Sequence, residues 1–264
     1  MSMTLPEHAV VTIHTFIQDH VRAAGGSGVV VGVSGGLDSA VVLKLAVDAL
    51  GPDGVVALLM PEAPEGVDLE DARTLCKDLG VRFEIIPIGP LVDALGCSAG
   101  VDDPRVLGNI KARVRMCLLY AVANEEERIV LGTSNKSELL VGYFTKWGDG
   151  GSDYLPIGDL YKTQVRQLAR EIGVPGRFIE KAPSAGLVPG QTDEGDLGMT
   201  YETLDRILRG IEMRMTPEEI SEREGVPIED AIMVRGMVRD SIHKRRLPLV
   251  LKLGARTVGR DWRE

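Results

Sequence analysis

The sequence has little that would hold it in a membrane or fasten it with disulfides. No apolar run approaches the ~20 residues needed to span a bilayer. Residues 1–11 carry no basic stretch followed by an apolar one, so no secretory signal is expected. Cysteine is scarce. Cys76, Cys97 and Cys117 lie far apart, form no Cys-x-x-Cys pair and, being three, cannot all pair within one chain. Buried free thiols in a reducing cytoplasm are the simple expectation. Positive charge is also short: 30 Lys and Arg stand against 39 Asp and Glu, a net −9. That balance argues against a broad nucleic-acid surface, which needs a basic face. It leaves room for a nucleotide substrate, because one phosphate pocket needs only a few local donors and a metal. Low-complexity segments and internal repeats are missing too.

What is present reads as one soluble globular unit spanning residues 1–264. The length allows one large domain or two small ones. Hydrophobic residues are 44% and charged residues 26%, enough for a sizeable core. An opening helix over residues 12–22 puts Ile13, Phe16, Ile17 and Val21 on one face. Residues 29–33 are a β-branched run of the kind found in buried parallel strands. A turn at Ser34-Gly35-Gly36 leads into a helix through Ala40, Val41, Leu43, Leu45 and Ala46. Strand and helix then alternate: strands at 55–60, 83–88 and from 128, helices over 67–79 and 105–126. Such alternation implies crossover connections and an α/β fold, a doubly wound parallel sheet with helices on both faces. Residues 147–156, rich in Gly and Asp, read as loop. A helix is expected over 162–172. Residues 182–195 carry two prolines and three glycines with few apolar side chains, the composition of a functional loop. The C-terminal part reads as helical, with a capping box at Thr216-Pro217-Glu218-Glu219 and a helix over about 228–243. The pair of helices around Gly225 faintly resembles a helix-turn-helix, but the net charge favours ordinary packing.

The strongest local signal is Ser34-Gly35-Gly36-Leu37-Asp38-Ser39 between a strand and a helix. Glycines let the backbone turn sharply and approach a phosphate, and the helix start offers unpaired N–H groups and the positive end of its dipole. No Gly-Lys-Ser/Thr follows, so this is not the Walker loop. A carboxylate beside an anion site would repel phosphate unless a divalent cation lay between them. Asp38 is therefore a candidate Mg²⁺ ligand. Three later motifs stand out: Asn109-Ile110-Lys111-Ala112-Arg113-Val114-Arg115 on the long helix, Gly132-Thr133-Ser134-Asn135-Lys136-Ser137-Glu138 at a strand end, and the stretch from Gly142 to Asp153. At ~100° per residue Lys111 and Arg115 share one helix face and Arg113 takes the opposite one. Strand ends on that edge are where open α/β sheets bind ligands. Each residue also has a plain structural reading. Glu138 could be a first-turn charge behind a Ser134/Asn135 cap, Lys111 and Arg113 a solvated face, Lys162 a surface lysine, and His243 a complement to a helix C-terminus.

The Ser-Gly-Gly-x-Asp-Ser loop resembles the pyrophosphate loop of the adenine-nucleotide alpha-hydrolase superfamily, whose members cleave ATP between the α and β phosphates. With Lys162-Thr163-Gln164, Pro183-Ser184-Ala185-Gly186-Leu187, Gln191-Thr192-Asp193-Glu194 and His243-Lys244-Arg245, the ordered motifs are similar to the ammonia-dependent NAD synthetase family over roughly residues 10–250. The resemblance implies that Gly32, Val33, Ser34, Gly35, Gly36, Leu37, Asp38 and Ser39 bind ATP, together with Thr133, Lys162 and Ser184. It implies Mg²⁺ on Asp38 and Glu138. It also implies deamido-NAD contacts from Arg113, Lys146, Asp153, His243 and Lys244, with Asp38, Lys146, Asp153 and Lys162 in catalysis. Two departures stand out: Ser134-Asn135-Lys136 in place of the Asp-His pair common in bacterial members, and Leu37 in place of a frequent glutamine. With about thirty residues before the loop and no Cys-Glu-Lys constellation, ammonia is expected free or from a separate glutaminase chain. The resemblance further implies a homodimer, weakly supported by a stripe of Val106, Ile110, Val114, Cys117 and Ala121 on the long helix. The alternatives are another amide-forming ligase of the superfamily and a nucleotide-binding module without catalysis.

Overall fold

The computed structural model describes residues 3–184, 186 and 191–258. In chain order the elements are α1 (Ala9–Ala23), β1 (Val29–Gly32), α2 (Leu37–Leu50), β2 (Val55–Leu59), α3 (Val67–Asp78), β3 (Arg82–Ile85), α4 (Gly89–Ala99), α5 (Pro104–Glu125), β4 (Ile129–Leu131), α6 (Lys136–Val141), α7 (Lys162–Glu171), α8 (Gly176–Glu180), α9 (Asp193–Leu197), α10 (Tyr201–Glu212), α11 (Pro217–Glu224) and α12 (Ile228–Asp240). The four strands run β3-β2-β1-β4, all parallel. Register pairs Val30 with both Val56 and Val130, so the apolar runs align across the sheet.

Because side chains alternate along a strand, each run feeds two cores. Val29, Val31, Ala57, Leu59, Ile129 and Leu131 pack with α1, α2, α7 and α8 on one face. Val30, Val56, Leu58 and Val130 pack with α4 and α5 on the other. The doubly wound arrangement read from the sequence is therefore present. A further cluster, including Val141, Tyr161, Tyr201, Leu204, Ile207, Ile220 and Val234, joins α10, α11 and α12 to α6. The helix pair around Gly225, whose φ is 63°, contributes Ile220, Val226, Ala231 and Val234 to it.

Several expectations change. Residues 147–156 are not loop throughout: Tyr154 bridges Leu131 in parallel, giving a fifth position at the sheet edge. Of the thiols only Cys76 is buried, its pKa pushed up to about 12 by burial. Cys97 and Cys117 are exposed. The α5 stripe is covered only in part. Val114 is buried against the sheet and Ile110 packs beside it, whereas Val106, Cys117 and Ala121 face outward.

Candidate active site

The site begins where β1 ends. Val33 and Leu37 point into the core, so only their backbone is available to a ligand. Between them Gly35 adopts φ +82°, and a Cβ there would run into the Asp68 carbonyl at the start of α3. Glycine is required on both counts. Ser34 and Ser39 hold the turn: Ser34 N–H donates to Ser39 Oγ at 3.2 Å, Ser39 Oγ donates to Gly36 O at 3.0 Å, and Gly36 N–H reaches Ser34 Oγ at 3.3 Å. No side chain caps α2. Its first-turn N–H groups and dipole are therefore left for an anion.

Asp38, in that first turn, is the centre of a compact acid–lysine cluster. Lys162 Nζ, only 3% exposed, pairs with Asp38 Oδ2 and lies 3.3 Å from Glu138 Oε1. Asn135 Nδ2 donates to Asp38 Oδ1 at 3.1 Å. Asn135 also caps α6, accepting from Glu138 N–H at 3.1 Å, while Glu138 Oε2 accepts from Asn135 N–H at 3.3 Å. The plain reading of Glu138 as a capped first-turn charge is thus correct and compatible with a functional one, since each oxygen serves one role. Burial, assisted by the Asp38 and Asp193 charges, lifts the Glu138 carboxyl to about 8 against the pull of Lys162. Burial alone would lower the Lys162 ammonium, but Asp38 and Glu138 outweigh it and the net shift is upward. Tyr201 closes the cluster: its ring lies 5.1 Å from Lys162 Nζ and its hydroxyl reaches Asp193 Oδ2 at 3.1 Å.

Behind the cluster lies a fully buried carboxylate. Asp205, on α10, accepts from the Ser137 hydroxyl and, at 2.9 Å, from Thr163 N–H. Ser137 Oγ in turn accepts from Lys162 N–H at 2.9 Å. The first turn of α7 is therefore capped from α10 and α6 as well as by Gln164 of its own first turn, whose Oε1 accepts from Tyr161 N–H at 3.0 Å.

The other expected site residues make contacts of their own. Arg113 is on the outward face of α5, donating to Lys146 O at 3.3 Å, and Lys146 Nζ stands 5.4 Å over the Trp147 ring. As the helical spacing implied, Lys111 and Arg115 take the other face. Lys111 is buried and pairs with Glu62 at 2.6 Å, so it is no solvated residue, and Arg115 donates to Met60 O at 3.1 Å. Lys244 Nζ ties down Gly142 O and Phe144 O at 2.7 and 2.8 Å. With His243 it lines a cleft of about 440 Å³ between α6 and α12. Asp153 is held by partners of its own. Its oxygens accept from Tyr120 OH at 3.0 Å and Val130 N–H at 2.9 Å, at the added sheet position. Thr133 follows β4 on the loop leading to Asn135. Ser184 donates to Gln191 O at 2.7 Å, and Asp193 N–H donates to Pro183 O at 3.0 Å. Together they close the neck of the 183–193 segment, of which residues 185 and 187–190 lie outside the described residues. The sequence alone gives no functional role to Asp193, Tyr201, Asp205 or Lys181, nor to Asn135 beyond a cap. Asp193 does sit in one of the sequence motifs, and Asn135 is legible there as a helix cap and as a departure.

The family model for NAD synthase matches residues 9–248. The chain belongs to the NAD synthase family. The NH(3)-dependent NAD(+) synthetase of Thermococcus kodakarensis is 50% identical over 243 residues, 91% of this chain and 95% of that one. That of Methanocaldococcus jannaschii is 47% identical over 92% and 95%. Among solved structures, NMN synthetase from Francisella tularensis superposes with a TM-score of 0.83 at 35% identity, covering 96% of this chain and all of that one. The NH3-dependent NAD synthetase of Campylobacter jejuni gives 0.80 at 33%, with the same coverage. Membership agrees with the α/β frame.

Proposed function

We infer that the chain is an ammonia-dependent NAD synthetase, a ligase that converts deamido-NAD, ATP and ammonia into NAD, AMP and pyrophosphate, the last step of NAD biosynthesis. The observation that carries this reading is the uncapped α2 start with Asp38, Glu138 and Lys162 gathered beside it at the C-terminal edge of the sheet. An anion site with two carboxylates at its rim suits a triphosphate that arrives with a divalent cation.

The donor set fits Mg²⁺. One ammonium reaches both Asp38 and Glu138, so the two carboxylates are close enough to share a cation. Among the described residues no group of three or more His, Cys, Asp or Glu side chains forms a metal cage. That suits an ion that takes one or two carboxylates and completes its shell with water and phosphate oxygens. Bound there, Mg²⁺ would supply charge neutralisation at the phosphates.

The chain's own groups do the rest. The Gly32–Ser39 loop holds the β and γ phosphates by backbone N–H groups and receives pyrophosphate as it leaves. Lys162 stabilises charge that builds on the α-phosphate when the nicotinate carboxylate attacks it. Thr133 and Ser184 contact ATP, while Arg113, Lys146, Asp153, His243 and Lys244 hold deamido-NAD. Ammonia then attacks the adenylated carboxyl and displaces AMP. The protein works as a single 1–264 unit in a cytoplasmic homodimer, with deamido-NAD across or near the interface. Its ammonia is free or delivered by a separate glutaminase chain, and it has no nucleic-acid or membrane partner. Among the described residues no helix is long and apolar enough to cross a membrane.

The deciding assay supplies ATP, Mg²⁺, ammonium and deamido-NAD and measures all three products. Equal amounts of NAD, AMP and pyrophosphate are expected. ADP and phosphate, or nucleotide binding without turnover, would overturn the reading. Because one structural relative is an NMN synthetase, a parallel arm replaces deamido-NAD with the carboxylate precursor of NMN. Faster turnover there would correct the substrate.

A further inference from the structure

Lys181 carries a contact that the reading above does not use. It precedes the 183–193 segment, and its ammonium donates to the Gly35 carbonyl at 3.0 Å, inside the loop that receives pyrophosphate. It also pairs with Asp68 at 2.5 Å and Asp71 at 3.2 Å on α3. Asp71 in turn accepts from Arg177 at 3.2 Å. Two cations and two carboxylates make this cluster formally neutral. The cluster as a whole therefore does little to attract phosphate, and the direct contact that Lys181 makes with the loop is the one to the Gly35 carbonyl.

The geometry is specific. A trans peptide points its C=O and its N–H in opposite directions. Fixing the Gly35 carbonyl therefore fixes where the Gly36 N–H points. The other restraint on that peptide is the long Gly36 N–H contact to Ser34 Oγ at 3.3 Å, and glycine visits either sign of φ with little cost, here φ +82° at Gly35. The Gly36 N–H faces Ser34 Oγ, on the side where α2 begins uncapped. Flipping the peptide would turn a carbonyl oxygen toward the anion instead of a donor. The same side chain links this peptide to the 183–193 neck through Ala182.

We propose that Lys181 is a positioning residue for pyrophosphate: it holds the Gly35–Gly36 peptide in its anion-binding orientation and joins that peptide to the base of the 183–193 segment. The proposal rests on the loop being the ATP site. Wild-type enzyme is first checked for NAD formation and for Mg-pyrophosphate binding by calorimetry; failure of both sinks the functional reading, not the role of Lys181. With those in place, Lys181→Gln and Lys181→Met should weaken Mg-ATP and Mg-pyrophosphate binding about tenfold, the size of one lost charge-assisted hydrogen bond. The KM for deamido-NAD should stay within about twofold. Lys181→Arg, which still donates to a carbonyl, should restore most of the loss. Asp71→Asn breaks part of the same ion-pair cluster without touching the carbonyl contact and should leave ATP binding unchanged. Unaltered ATP and pyrophosphate affinity in the neutral variants would overturn the proposal. So would equal losses for both substrates, or an Asp71→Asn variant as weak as Lys181→Gln. Loss of fold in the neutral variants, read by circular dichroism, would also overturn it, because Lys181 would then be holding the whole region rather than one peptide.

Discussion

Replacing Asp205 tests whether the catalytic cluster is held from behind. Asp205 is fully buried, and its oxygens are the acceptors for the Ser137 hydroxyl and the Thr163 N–H. Asp205→Ala leaves both donors facing a void. Each stranded buried donor costs about 1–3 kcal/mol. Removing a desolvated carboxylate returns part of that, so a net loss of about 3 kcal/mol is expected. For a chain of this size that lowers Tm by about 6–12 °C. Asp205→Asn keeps the volume and one acceptor, and should cost about half as much. Because Ser137 and Thr163 fix the first turn of α7, where Lys162 stands, both variants should also lower kcat, by about tenfold for alanine. The pH dependence has a definite sign. Burial is the main cause of a raised Asp205 pKa. A carboxyl raised in the folded state contributes stability that is complete below its unfolded value near ~4 and is lost as pH rises through the folded value. The advantage of wild type over Asp205→Asn, measured by urea unfolding at pH 6 and pH 8, should therefore shrink or stay level. An advantage that grows with pH, or an alanine variant within about 1 kcal/mol of wild type, would refute the reasoning.

Four further outcomes are expected. Asp38→Asn should lower turnover by orders of magnitude with the fold intact, since it removes the carboxylate shared by Asn135 and Lys162; near-normal rates at saturating Mg²⁺ would contradict it. Lys162→Met should cut kcat by about a hundredfold or more while deamido-NAD binding, followed by fluorescence or calorimetry, changes little. Gly35→Ala should cost both stability and ATP affinity, because the Asp68 carbonyl occupies the space of its methyl group and φ is +82°; wild-type ATP affinity in a folded variant would show that the loop can re-form. In limited proteolysis, ATP, Mg²⁺ and deamido-NAD together should protect residues 182–195 more than the rest of the chain, if that segment closes over the phosphates to keep water from the adenylate. Equal protection without ligand would remove the lid from the mechanism.

The frame and the loop were legible because their signals are local. Val29–Gly32 and Val55–Leu59 are β-branched or apolar at nearly every position, and a strand buried on both faces has no other composition. Gly35 and Gly36 mark a turn for a stereochemical reason. The opposed faces of α5 followed from helical geometry, which put Arg113 outward and Lys111 inward. Reading Lys111 as solvated failed because its partner, Glu62, lies 49 residues away and across the sheet edge. The α5 stripe was legible only in part for a related reason. Apolar residues at nearly helical spacing do not say which neighbour covers them, and α5 turns Val114 toward the sheet but Cys117 away from it. Residues 147–156 read as loop because of their glycines, yet the Asp153 carboxylate accepts the Val130 N–H at 2.9 Å in place of a strand carbonyl. A side chain standing in for backbone leaves no trace in a hydrophobic pattern.

The cluster itself was half legible, and the division is physical. Asp38, Glu138 and Lys162 each announce chemistry by type and place, so a motif can carry them. The groups that set their positions do not. Asn135 was legible as a cap and as a departure from the bacterial pattern, yet its amide also donates to Asp38, so a single side chain aligns the two carboxylates. Asp205 looked like an ordinary helix aspartate, yet it reaches 68 residues back to Ser137 and 42 to Thr163. These contacts join the start of α6, the start of α7 and the body of α10, three pieces that meet only once the C-terminal helices have packed. The acid–lysine geometry is thus a property of the finished fold, with Asp205 and Tyr201 of α10 among the side chains that set it. A variant that loosens α10 on α6, such as Leu204→Ala in the buried cluster, should cost about 2–5 kcal/mol and lower kcat in the surviving folded enzyme as well. Lost stability with unchanged turnover per folded molecule would show instead that Asn135 and the loop alone suffice to hold Lys162 against Asp38.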